Sequence, residues 1–246
     1  MVSAIDPELF VKVLINLILV TATIIIVKRD IVSLISTYRI QSFFLVLLAL
    51  SLYASEKNPM LLYLAALTLA SKVIIIPKVM NHIQKKLDIK RDIEYHYLTP
   101  KELIIFSMIV ILSIYVFLSK ILAELSLGKT VFFGATVGIS LAFIGMMTIF
   151  CRKQTITDII GYLTMENGVL LFSLFLIKLP LILEVLIIID LIILTLLASV
   201  LAFGIDSPIE EFHRRLYPFK NADLPASKQR HEKAKYTPKP YGGRKI

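Results

Sequence analysis

The sequence predicts an all-α fold, a polytopic bundle of about seven transmembrane helices. Three observations carry that expectation. Hydrophobic residues make up 57% of the 246-residue chain, and mean hydropathy is +0.80. Charged residues make up only 18%, against about a quarter in soluble domains, and most of them fall in loops and the C-terminal tail. The apolar residues run in stretches of roughly 20, too long for a single globular core and matched to a bilayer. These runs are continuous rather than alternating, which argues against a β-barrel.

The first span is expected from about Pro7 to Val27, and the second from about Arg39 to Ala54. The second is the shortest; it either begins near Ile31 with Arg39 inside it, or follows a surface-lying segment from Ile31 to Ile40. The third runs from about Pro59 to Val79, the fourth from Glu102 to Leu125 and the fifth from Thr130 to Phe150. The last two cover about Thr157 to Ile177 and Pro180 to Phe203. In the fifth, Gly134 and Gly138 form a Gly-x-x-x-Gly spacing, with Ala135, Ser140 and Gly145 nearby; small residues at that spacing let helices approach closely.

Residues 1–205 thus form a transmembrane domain and 206–246 a basic tail, rich in proline and ending near the Gly242-Gly243 pair. Such a tail is expected to be irregular unless it lies on a partner. Within it, Pro208 to Tyr217 can form a short surface helix with Ile209, Phe212 and Leu216 on one face.

Orientation follows from the excess of Lys and Arg on cytoplasmic loops. One side carries Lys28, Arg29, Lys78, Lys85, Lys86, Lys90, Arg91, Lys101, Arg152, Lys153 and the tail; the other carries Lys57, Lys120, Lys129 and Lys178. With an odd number of spans, the N-terminus is expected outside and the C-terminus in the cytoplasm. The same loop bias accounts for the net charge of +9, so nucleic acid is not an expected partner.

Several chemistries are excluded. One cysteine, Cys151, cannot form an intramolecular disulfide, a Cys-based zinc site or an iron–sulfur site within the chain. It reads as an inert thiol near a helix end. His82, His96, His213 and His231 are scattered through loops and tail without the pairing of a metal-binding helix. Phosphate-binding glycine loops, dinucleotide fingerprints and nucleophile elbows are absent from the sequence. No cofactor or metal is expected. Lys12 interrupts the first apolar run, and no cleavage site follows, so no cleavable signal peptide is expected.

The informative residues are charges inside the spans, where each costs several kcal/mol unless it is used or paired. They are Lys72, Glu166, Glu184 and Asp190. At ~1.5 Å per residue, Lys72 lies ~20 Å, Glu166 ~18 Å and Asp190 ~15 Å from the outer side, close to one level at mid-membrane; Glu184 is shallower, at ~6 Å. Glu166 and Asp190 sit on consecutive antiparallel helices. Buried carboxylates beside a lysine can load and release a proton; they can also simply tie helices together. Arg39 and Gln41 read as interfacial anchors, and Glu102 and Glu124 as solvated boundary charges.

These residues also carry a family resemblance. The block Gly161-Tyr162-Leu163-Thr164-Met165-Glu166-Asn167-Gly168 resembles the Gly-Tyr-x-x-Met-Glu-Asn-Gly signature of the hydrogenase-4 component E family. The Pro180, Glu184 and Asp190 spacing resembles that family's last helix. Lys72-Val73 with Pro77, and Ser36-Thr37-Tyr38-Arg39 with Gln41-Ser42, resemble two further segments, so that the likeness covers roughly residues 10 to 205. It departs at Leu186, where the family often has glycine, and in the length of the basic tail.

The resemblance implies a membrane-arm subunit of group 4 [NiFe] hydrogenase or formate hydrogenlyase-type complexes, which are similar to respiratory complex I. It implies a multi-pass protein of a prokaryotic cell membrane whose partners are other membrane and peripheral subunits. The C-terminal helices are similar to the K subunit of complex I. By that likeness Glu166 and Glu184 are relay carboxylates and Lys72 a charge partner in proton or sodium translocation. The chain is then a non-redox subunit of an oxidoreductase complex. A structural scaffold without an ion path is the alternative, and an independent small transporter a weaker one.

Overall fold

The computed structural model describes residues 7–87, 100–122, 128–151, 155–176, 185, 187–193 and 195, all within the compact unit Met1–Ala202. Every element assigned among them is helical. Among the described residues, six helices are long and apolar enough to cross a membrane: Pro7–Val27, Ile31–Glu56, Pro59–Lys85, Lys101–Ile121, Lys129–Cys151 and Ile156–Leu176. Of the seventh expected span, residues 187–193 are described and helical. Glu124, Glu184 and the tail from Asp206 lie outside the described residues.

Helix α1 (Pro7–Val27) turns tightly into α2 (Ile31–Glu56). Asp30 caps α2, its side chain accepting from the Ser33 N–H at 2.9 Å. That cap satisfies one of the orphan donors of the first turn, so α2 starts at Ile31 and continues unbroken through Arg39. The surface-lying alternative for Ile31 to Ile40 is therefore overturned. Lys57 ends α2 in the left-handed region at φ 53°, and Asn58 with Pro59 at once starts α3 (Pro59–Thr68). Proline suits the first helical turn, where its missing N–H has no partner to lose.

The third span does not stay α-helical. Leu69–Ile75 form a π-helical segment that leads into α4 (Ile76–Leu87). The Ile76 N–H bonds back to the Ser71 carbonyl, five residues earlier. Pro77 supplies a physical reason: in a regular helix its ring would crowd the carbonyl of Val73, and it cannot donate. Widening the preceding turns relieves that crowding while the span remains continuous. The span extends to Lys85, beyond the expected end at Val79, because α4 is amphipathic. Ile76, Met80 and Ile83 are buried, whereas Lys78, His82 and Lys85 are exposed. His82 is thus on a helix, not in a loop.

Helices α5 (Pro100–Leu122), α6 (Lys129–Cys151) and α7 (Thr155–Leu176) follow. The most extensive helix pairing is α6 with α7. Glycines permit it: a Cβ on Gly138 would stand 2.5 Å from the Phe172 nitrogen, and Cβ atoms on Gly145 and Gly168 would likewise strike the backbone at Met165 and Ala142. The Gly-x-x-x-Gly spacing noted in the sequence therefore serves a real contact, and α7 answers it with Gly161 and Gly168. Helix α5 is peripheral, with most of its residues exposed or half-buried. Ile105, Met108, Leu112 and Phe117 face outward from it, as residues against lipid or another apolar partner would.

The interior has two main apolar clusters. One joins α1, α2, α6 and α7 through residues such as Ile15, Ile18, Leu45, Leu141 and Leu171. The other joins α2, α4, α7 and residues 187–193 through Ile35, Tyr38, Met80, Ile160, Leu163 and Ile193. The buried charges lie beside the second cluster.

Candidate functional site

Helix α7 presents Glu166 and Asn167 inward one turn beyond Leu163, which sits in the second cluster. The π segment presents Lys72, which is wholly buried. The Lys72 Nζ stands 2.9 Å from Glu166 Oε1, with the two side chains 0% and 4% exposed. It also donates to Asn167 Oδ1 at 3.2 Å. One lysine therefore bridges two consecutive residues of α7, holding the π segment against that helix.

The polar contacts continue laterally. Asn167 Nδ2 donates to Gln41 Oε1 at 3.2 Å and to Ser42 Oγ at 3.1 Å. Gln41 Nε2 in turn donates to the Ile18 carbonyl of α1 at 3.5 Å. A chain of buried polar groups thus runs from the third span through α7 and α2 to α1. In a low-dielectric interior each of these bonds is expensive to leave unmade. Gln41 is therefore not the interfacial anchor that the sequence indicated; it is fully buried and part of this chain. Arg39, two residues earlier, is exposed on the other face of α2, consistent with an anchor.

Asp190 enters from residues 187–193. It is 5% exposed, and among the described residues neither of its carboxylate oxygens has a hydrogen-bond partner. Ile193, one turn on, packs in the cluster that contains Tyr38, Ile160 and Leu163. Asp190 lies within electrostatic reach of both Glu166 and Tyr38. Ile187, Ile188, Leu191 and Ile192 face outward, so the inward face of this piece is the one that bears the carboxylate.

Two of the four charges singled out in the sequence, Lys72 and Glu166, therefore pair directly, and a third, Asp190, is buried within their electrostatic reach. Glu184 lies outside the described residues. Sequence reasoning missed Asn167, Gln41 and Ser42 as partners and the fully buried Tyr38 as a neighbour of the site. It also missed the π segment, although Pro77 within a span was a usable sign of it. Glu102 is exposed, as a boundary charge would be, and Cys151 is buried at the end of α6.

Chemically, the arrangement has one cation, two carboxylates and two amides, buried in a bundle of apolar helices. Such a group can hold and exchange charge. It offers no activated nucleophile, and among the described residues no cluster of three or more potential metal ligands occurs. Compared with protein-family models, curated proteins and solved structures, the chain matches none.

Proposed function

We propose that this protein is a membrane-arm subunit of a complex-I-like or group 4 hydrogenase-type assembly. In this reading it contributes to proton or sodium translocation through Lys72, Glu166, Glu184 and Asp190. The observation that carries the reading is the buried Lys72–Glu166 ion pair with Asp190 close by. Ionisable residues inside membrane helices are rare, and ion pathways and proton relays are among the roles they mark. A π segment at Lys72 supports it further, because such irregularities in helices cluster at functional sites. The likeness of the Gly161–Gly168 block to the hydrogenase-4 component E signature supplies the type of complex.

The chain carries no redox centre of its own in this account. Electrons are handled by partner subunits, and energy arrives as a change of conformation or electrostatics at the buried charges. The N-terminus lies outside and the C-terminus in the cytoplasm of a prokaryotic cell, with the basic tail available to partner subunits. The test is ion translocation by the intact complex in liposomes, comparing wild type with Glu166→Gln. Loss of translocation with assembly and electron transfer retained is the expected result.

One observation favours a second reading, a scaffold subunit. Lys72 joins two helical elements through both Glu166 and Asn167, as a pure helix tie would. In that case Glu166→Gln impairs assembly and leaves transport per assembled complex unchanged.

A further inference from the structure

The buried charges at this site do not balance. Lys72 contributes one positive charge, and Glu166 and Asp190 contribute two negative charges if both are ionised. Among the described residues, the other groups facing them are uncharged: Tyr38 and Gln41 from α2, and Tyr162 and Asn167 from α7. Charged residues on the neighbouring elements point elsewhere, since Arg39 on α2 and Lys78, His82 and Lys85 on α4 are all exposed. Asp158 stands two turns before Glu166, in the first turn of α7.

An uncompensated carboxylate in a membrane interior costs several kcal/mol. Asp190 makes the imbalance acute, because both its oxygens are buried and no hydrogen-bond donor reaches them among the described residues. Two nearby carboxylates that cannot both ionise share a proton. A metal cation would need several free oxygen ligands, whereas the amide oxygens of Asn167 and Gln41 and the Ser42 hydroxyl already accept hydrogen bonds, and among the described residues no third acidic or histidine ligand joins the two carboxylates.

We infer that Glu166 and Asp190 together hold one exchangeable proton beside Lys72, and that the ion this site carries is a proton rather than sodium. This deepens the relay reading and rests on it for its role in transport. The occupancy itself is a property of the site and is measurable without transport. Uptake places the proton on one carboxylate while Lys72 pairs with the other; release returns it, and no other bond changes.

The test is isotope-edited infrared spectroscopy of the full-length chain with its native partners in a bilayer. It reads the carbonyl stretch of protonated carboxyl groups and the downshift of that band in heavy water. The site should contribute one protonated carboxyl per chain, and Asp190→Asn should remove it. Lys72→Met removes the site's one cation among the described residues, so the contribution should double to two. Replacing potassium with sodium should leave the band unchanged.

The inference is overturned if Asp190→Asn leaves the band intact, if Lys72→Met leaves its intensity unchanged, or if sodium abolishes it. Should Asp190→Asn fail to fold, the Lys72→Met and sodium measurements still decide. A band that behaves as expected, together with unchanged transport in Glu166→Gln, would retain the proton site and retire the relay.

Discussion

Removing Lys72 should expose how strongly the buried pair is coupled. At the observed 2.9 Å separation, the Coulombic attraction is ~6 kcal/mol for an effective dielectric of about 20. Desolvating two ions opposes most of that, so the pair's net contribution is small. Deleting one partner is different, because the remaining buried groups must change protonation to avoid an uncompensated charge, and breaking such a pair costs about 3–5 kcal/mol. Lys72→Met and Glu166→Gln should therefore each destabilise the bundle by that order. The double variant has no stranded charge at the pair and should lie only about 1–2 kcal/mol below wild type, reflecting the lost bond to Asn167. A double-mutant cycle, read from reversible unfolding in mixed micelles or from steric trapping in bicelles, gives the coupling directly. An interaction energy of at least about 4 kcal/mol is expected. Singles that sum to the double within about 0.5 kcal/mol would refute a tightly coupled buried pair.

Asn167→Leu should destabilise by about 3 kcal/mol in the same unfolding assay, since Gln41 and Ser42 lose a buried partner. Gly145→Val should force α6 from α7 and cost about 1–3 kcal/mol or more by overpacking, whereas Gly128→Ala, with open space around it, should be within about 0.5 kcal/mol of wild type. Arg39→Gln should leave the stability of the bundle within about 0.5 kcal/mol, because Arg39 is exposed and takes no part in the buried chain; a loss above 2 kcal/mol would contradict its placement.

Much of the bundle was legible because membrane helices are specified by long apolar runs rather than by long-range pairing. The ends of α1, α6 and α7 fall within a few residues of their expected places. The start of α2 was ambiguous from hydropathy alone, since Arg39 and Gln41 dilute the run; the Asp30 cap resolves it. The buried charges were legible for the same reason that they are interesting: Lys72, Glu166 and Asp190 stand out against an apolar background, and counting residues placed them near one depth.

What sequence could not deliver was direction around the helix axis. Arg39 and Gln41 are two residues apart and looked alike, yet two residues is about 200° of helical rotation, enough to put one outside and the other in the centre. The π segment escaped because its trigger, Pro77, lies after the residues that it distorts. Asn167 escaped because an amide beside a glutamate carries no charge to flag it, although it makes more of the polar contacts than any charged residue at the site.

The most direct test of the central claim is ion translocation by the purified, intact complex in liposomes, wild type against Glu166→Gln. The account expects assembly and electron transfer to survive while translocation falls sharply. Full translocation in an assembled Glu166→Gln complex would contradict it and leave the Lys72–Glu166 pair as a tie between helices.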